Sequence, residues 1–253
     1  MEFEENEISK VEEPRPSSLM ERLSNVIVSP GEVFQGLKGV PVNSLNWAVP
    51  MVISILAGIF FSLMVFTQVG MVEKVRQIQE TALVKQVEAG KMTSGQAEDA
   101  REFMEKVVTK NVLVLGGVVS SIFFTPIVWL FLAFVFHWLA RIGSRSHIPF
   151  TKCFEVIGLC SMVAIPGVLV NMLLIIITEN PSMTFSLALA FQEYDPTEKM
   201  HALAAEVDIM RIWYISVLAV AWSRLTQHPM ASCAAWLFGI WIAFRVGIIM
   251  LGS

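Results

Sequence analysis

VLVLGGVVSSIFFTPIVWLFLAFVF, residues 112–136, holds no Asp, Glu, Lys or Arg, and the uncharged run extends from Asn111 to Ala140. A hydrocarbon core about 30 Å thick is crossed by about 20 apolar residues in a helix, so this stretch predicts a membrane span. The whole chain supports that reading. Of its 253 residues 55% are hydrophobic and only 16% charged, and the mean hydropathy is +0.62, whereas about a quarter of residues are charged in an ordinary globular domain.

Working outward, further apolar runs predict spans at about 47–69, 154–178, 206–223 and 230–251, so the expected fold is an all-α, integral membrane five-helix bundle. Span 206–223 is short between Arg211 and Arg224, and needs both arginines to snorkel at its ends. Pro126 and Pro166 fall inside the second and third spans, where a proline removes a backbone hydrogen bond and kinks the helix. The first span carries Ser54, Gly58 and Ser62 as a small-residue row at spacing four.

Before the first span, residues 17–46 predict an amphipathic interfacial elbow of two short helices. Ser18 with Glu21 fits a capping box, and Leu19, Met20, Leu23, Val26 and Ile27 share a face. Ser29, Pro30 and Glu32 start the second helix, with Val33, Phe34 and Leu37 apolar and Gly39 and Pro41 ending it. Such helices are expected in the headgroup layer, apolar faces down. Residues 1–16, with six glutamates and two prolines, have the composition of a disordered acidic tail, and lack the basic start and apolar core of a signal peptide.

Between the first two spans, residues 71–110 predict an external helical hairpin. Val72, Val75, Ile78, Ala82 and Leu83 line one arm, Gly90 stops it, Thr93 with Gln96 starts the second, and Ala97, Ala100, Phe103, Met104 and Val107 line that one. Its seven basic and seven acidic residues balance. In the later loops, Met183, Phe185, Leu187, Leu189 and Phe191 are expected on the outer surface, and Asp195, Pro196 and Glu198 to start a helix running into the fourth span. Arg141, Arg145, Lys152 and Arg224 lie in short loops on one side of the bundle, so the positive-inside rule puts the N-terminus in the cytoplasm and the C-terminus outside.

The chemistry-bearing residues are few. A net charge of -4, a pI near 5.6 and no basic patch exclude nucleic acid as a partner. Cys153, Cys160 and Cys233 read as small core residues, and His137, His147, His201 and His228 are too scattered for a metal. Ser120 and Ser121 have no Lys or His at helical spacing and read as packing residues. No HExxH, Walker loop or CxxC occurs, so catalytic, cofactor and metal sites are all expected to be none.

Two structural features remain in the fifth span. Ala231, Ala235, Gly239, Ala243 and Gly247 recur every four residues and suit close helix packing, within the bundle or in a homo-oligomer. Arg245 needs a partner or a route to the headgroups. Asp208 is the expected ion-pair partner, with Glu206 the substitute and stacking on Trp241 the alternative.

Asn25 to Pro41 (NVIVSPGEVFQGLKGVP), spans three and four, the Ser186–Ala190 loop segment, and Val207 to Trp213 (VDIMRIW) together carry a likeness. By these stretches the chain resembles the Yip family of polytopic membrane proteins in its bacterial form. Met210 stands where the family usually has Phe, and the long charged hairpin is common among bacterial members. The resemblance implies residence in the inner membrane. Its eukaryotic branch is linked to small GTPases and vesicle traffic, a role no residue here carries. The functional expectation is a non-enzymatic protein that organises or partners other membrane components, with membrane lipids and a protein docked on the 71–110 hairpin as partners. The alternative is a transporter or lipid-moving subunit using the proline-kinked spans.

Overall fold

The computed structural model describes residues 18–251. These residues form helices α1 (Leu19–Val28), α2 (Pro30–Gly36), α3 (Leu45–Phe66), α4 (Met71–Glu88), α5 (Ser94–Val107), α6 (Lys110–Gly143), α7 (Phe150–Ser161), α8 (Ala164–Thr178), α9 (Lys199–Glu206), α10 (Ile209–Thr226) and α11 (Met230–Leu251), with a 3-10 turn at Leu187–Ala190. Four segments are long and apolar enough to cross a membrane: α3, α6, the α7–α8 pair and α11 up to Met250. In lipid every backbone donor and acceptor must be met within the chain, which is what makes such segments helical.

The bundle has two unlike ends. At one end lie α1, α2, the α6–α7 loop and the α10–α11 turn, drawn together by Gly31 against the Arg224 guanidinium and by Trp222 Nε1 donating to Ser144 Oγ at 3.1 Å. At the other lie the α4–α5 hairpin, the 179–198 loop and α9, tied by Lys85 to Asp195 and Glu198 at 2.9 and 2.7 Å. α10 joins the two ends, its first turn beside Ser186 and its last beside α2.

α7 is the axis of the core. Lys152, Cys153 and Glu155 through Ser161 are all buried, and Leu23, Val26, Phe34, Leu139, Val217 and Trp222 pack into the same cluster. Close helix approach is set by small residues. A Cβ on Gly158 of α7 would lie 2.5 Å from Trp47 Cα of α3, and Gly58 and Gly117 face Ser121 and Ser62 across the α3–α6 crossing. The Ser54, Gly58, Ser62 row of the first span is therefore the seam against α6, and Ser62 Oγ also donates to Val114 O at 3.1 Å.

Several expectations are corrected here. The third span is two helices, divided at Met162 and Val163. Pro166 is the cause. It has no N–H for the Met162 carbonyl, and the backbone there closes i to i−3 bonds instead, Met162 N to Leu159 O, Val163 N to Cys160 O and Ile165 N to Met162 O. Pro166 thus sits in the first turn of α8, where its missing donor costs nothing. α6 passes through Pro126 as one helix.

The elbow's apolar faces also differ from expectation. Leu23, Val26, Val33, Phe34 and Leu37 are buried in the bundle core rather than turned to the headgroups, because α1 packs on α3 and α7 and α2 on α10. Met20 and Val28 are the exposed apolar members of α1. Asp195 caps no helix: its carboxylate is taken by Thr197 and Lys85, and α9 begins at Lys199. Nor is α9 continuous with α10. The chain breaks at Val207, and Asp208 caps α10 by accepting from Arg211 N at 2.9 Å. In the 181–191 loop Met183 is buried, packed beside Val65, Met172 and Ile175.

Candidate functional site

Three polar constructions stand out against an otherwise apolar bundle. The first is a cavity of about 380 Å³ between α3, α6, α8 and α10. It opens where the Pro166 break separates α7 from α8, and Ser54, Ser161, Asn171, Tyr214, Asp208 and Arg211 supply its polar lining. Ser161 Oγ donates to Gly158 O at 2.6 Å, and Asn171 Oδ1 accepts from Phe185 N at 2.8 Å, so the 179–198 loop dips in to meet α8. The floor is narrowed by Met210, whose Cβ lies 2.9 Å from where a Gly167 side chain would start.

The second construction is a carboxylate held by two arginines at the hairpin end. Glu206, at the C-terminus of α9, accepts from Arg245 Nε at 2.7 Å, and its two oxygens also meet Arg245 Nη2 and Arg211 Nη1. Arg245 therefore pairs with Glu206, the substitute acid, while Asp208 serves as the α10 cap. Trp241 packs edge-on against Phe238 with ring centroids 6.3 Å apart. The α4–α5 hairpin is anchored nearby. Lys85 Nζ donates to Asp195, Thr197 and Glu198, Arg76 donates twice to Val108 O, and Arg101 forms a forked pair with Glu80.

These contacts set the charge states at the hairpin anchor. Hydrogen bonds to Glu198 and Asp195 hold the Lys85 ammonium above its usual range. Partial burial pushes the Asp195 carboxyl up, but the hydrogen bonds from Thr197 and Lys85 outweigh it and leave it below the ordinary carboxylate range.

The third construction lies at the elbow end and is the most deeply buried. Glu155 is 0% exposed; its Oε1 accepts from Asn43 N at 3.1 Å and from Asn46 Nδ2 at 2.5 Å. Its Oε2 lies 2.8 Å from Lys152 Nζ, an ion pair without hydrogen-bond geometry, and Lys152 Nζ donates to Val40 O at 3.1 Å. One i,i+3 pair on α7 thus fixes the whole linker from Val40 to Asn46 that joins the elbow to α3. Pro50 contributes by sequence position, since it leaves the Asn46 carbonyl without a helical donor at the crossing with Gly158.

A family model describing the Yip1 domain matches residues 24–251, from α1 to the end of α11. The chain belongs to the Yip1 domain family. No curated protein and no solved structure matches it. The matched region of this Yip1 domain includes all three constructions and the hairpin.

Within the Yip1 domain, the period-four row of small residues on α11 faces away from the bundle. Ala231, Ala235, Gly239 and Ala243 are exposed, and nothing lies within 4 Å of a Cβ placed on Gly239 or Gly247. The histidines serve local structure. His137 Nδ1 lies 2.7 Å from Ile148 O, and His201 accepts from Asp195 N and packs on Phe191 and Tyr194. Among the described residues no group of three or more His, Cys, Asp or Glu is placed to hold a metal ion. The Glu155 network was missed from sequence because Lys152 reads as a loop charge and Glu155 as the edge of an apolar run. Their i,i+3 spacing beside buried apolar positions was the available signal.

Proposed function

We propose that this Yip1 domain protein is a non-enzymatic organiser of other membrane components, presenting its hairpin as a docking arm. The observation that carries the reading is the anchorage of α4 through Lys85 to Asp195, Thr197 and Glu198, which holds the arm in one pose. On that arm Phe103 is 64% and Val84 40% exposed, apolar surface on otherwise charged helices. A photo-crosslinker at Phe103 in the full-length protein in its own membrane should give one discrete adduct that Lys85→Met weakens. Diffuse adducts of equal yield at Phe103 and at the exposed Glu88 would refute the docking arm.

The topology we propose has five crossings, with α10 as the one below the hydropathy of a typical span. It is supported by contacts of α10 at both ends of the bundle and by its 18 residues, which rise about 27 Å. Shielding by α2, α7, α8 and α11 relaxes the need for an apolar surface, and Arg211 and Arg224 reach out at its ends. Arg141, Arg145 and Arg224 at the elbow end favour that end in the cytoplasm and the hairpin outside. The inner membrane is the location we propose, a reading supported by the likeness of the charged hairpin to bacterial members. The exposed α11 row is open to a second copy in a homo-oligomer.

A second reading, a lipid-moving subunit, draws on the cavity of about 380 Å³ beside the Pro166 break. It predicts that Tyr214→Phe and Asn171→Leu change lipid scrambling by the reconstituted protein. Equal scrambling by wild type, variants and empty vesicles would dismiss it.

A further inference from the structure

A cavity of about 410 Å³ at the elbow end is lined by Arg22, Val40, Asn43, Ser44, Asn46 and Glu155 among others. Three buried side-chain atoms of its lining have no hydrogen-bond partner, the Arg22 Nε donor and the acceptors Asn46 Oδ1 and Glu155 Oε2, and of these only Glu155 Oε2 has a counter-charge, Lys152 Nζ at 2.8 Å. Asn46 is 0% exposed, and its amide cannot be turned to cure the defect. Its nitrogen must face Glu155 Oε1, 2.5 Å away, because a carboxylate only accepts. Oδ1 is thereby left without a donor. The Arg22 guanidinium makes no hydrogen bond or ion pair among the described residues, and a buried unpaired donor or acceptor costs about 1–3 kcal/mol. A buried donor and a buried acceptor orphaned around one cavity call for a ligand bearing both an anion and a hydrogen-bond donor.

The surroundings say where that ligand comes from. Met20, Val28, Val40, Val42 and Leu45 are exposed apolar side chains on the elbow and linker, and Val40 and Val42 flank the cavity itself. This rim belongs in the headgroup layer, where phosphodiesters are the abundant anions. Arg22 and Lys152 against Glu155 leave the site one positive charge in excess, which suits a phosphate.

We propose that the cavity binds one phospholipid headgroup, its phosphodiester paired with Arg22 and its terminal hydrogen-bond donor, an ethanolamine ammonium or a glycerol hydroxyl, directed at Asn46 Oδ1. A choline headgroup has the phosphate but no N–H or O–H, and is discriminated against. The site locks the linker that Glu155 and Lys152 already position, so lipid occupancy stiffens the junction of elbow and α3. The inference rests on the proposed topology, which sets the elbow end at one face of the membrane, and is independent of whether the hairpin docks a partner.

The test is native mass spectrometry of the full-length protein released from nanodiscs of phosphatidylcholine mixed equally with phosphatidylethanolamine or with phosphatidylglycerol. One ethanolamine or glycerol lipid should be retained with a preference of about tenfold or more over the choline lipid, the effect of one lost hydrogen bond to a buried group. Arg22→Gln, whose thermal unfolding should match wild type, should abolish retention of that lipid. Equal retention of the choline lipid in wild type, or unchanged retention in Arg22→Gln, overturns the assignment. Binding of soluble glycerophosphoethanolamine with exclusion of the intact lipid also overturns it, and would show instead that the elbow lies away from the bilayer.

Discussion

Lys152→Met should be among the most destabilising single substitutions in the chain. Glu155 is fully buried, accepts from Asn43 N and Asn46 Nδ2, and has Lys152 Nζ 2.8 Å away as its counter-charge. Removing one member of a buried pair leaves the other charge uncompensated, a loss of about 3–5 kcal/mol. Glu155→Gln inflicts the same defect from the other side, softened because Lys152 keeps the Val40 carbonyl at 3.1 Å, and should cost about 3 kcal/mol. The double variant leaves no buried charge, and a Gln at 155 still accepts from Asn43 and Asn46. It should be more stable than the sum of the singles by at least about 2 kcal/mol. SDS titration of the folded protein in mixed micelles, followed by its tryptophan emission, measures all three differences. Additivity within about 0.5 kcal/mol would refute the pair as a coupled, buried unit.

Two more expectations follow from the packing and the hairpin anchor. Gly158→Ala should destabilise by about 1–3 kcal/mol, since its Cβ would sit 2.5 Å from Trp47 Cα, whereas Gly239→Ala, with nothing within 4 Å, should leave monomer stability unchanged in the same titration. Lys85→Met should free the hairpin at a cost of roughly 0.5 kcal/mol, small because the ion pairs are half exposed, and should raise hydrogen exchange in α4 while leaving α6 protected. Because the Asp195 carboxyl is held below its usual range, its contribution is complete above the ordinary carboxylate range and disappears as pH falls through its lowered value. Lys85, held above its range, contributes fully below the ordinary lysine value and is lost as pH rises past its raised one. Exchange in α4 should therefore be flat from about pH 5 to pH 9 once corrected for intrinsic rates, and should rise with salt.

How much of this was legible in the residues depended on whether the signal was local. The Ser18–Glu21 and Thr93–Gln96 capping boxes, the stop at Gly90 and the long uncharged run of α6 are short-range patterns, and the helices begin and end accordingly. α10 was harder because it is an inner helix. Its Trp222 and Ala219 are 0% exposed, so neighbours rather than lipid receive its side chains and the hydropathy signal weakens. The two small-residue rows show the same limit. Period four appears in α3 and in α11, but only the α3 row meets a partner helix, and a single sequence does not reveal which face is covered. Arg245 has two carboxylates within reach by sequence, and the break at Val207, which commits Asp208 to capping, decides for Glu206.

The five-span topology requires α10 to cross the membrane, and cysteine accessibility in sealed, oriented vesicles tests this directly. The three native cysteines are buried, so single cysteines placed at the exposed positions Met200, before α10, and Gln227, after it, report on their own. A membrane-impermeant maleimide should label Met200→Cys from the face that carries the α4–α5 hairpin and Gln227→Cys only from the opposite face. Labelling of both from the same face would contradict the crossing and the five-helix topology built on it.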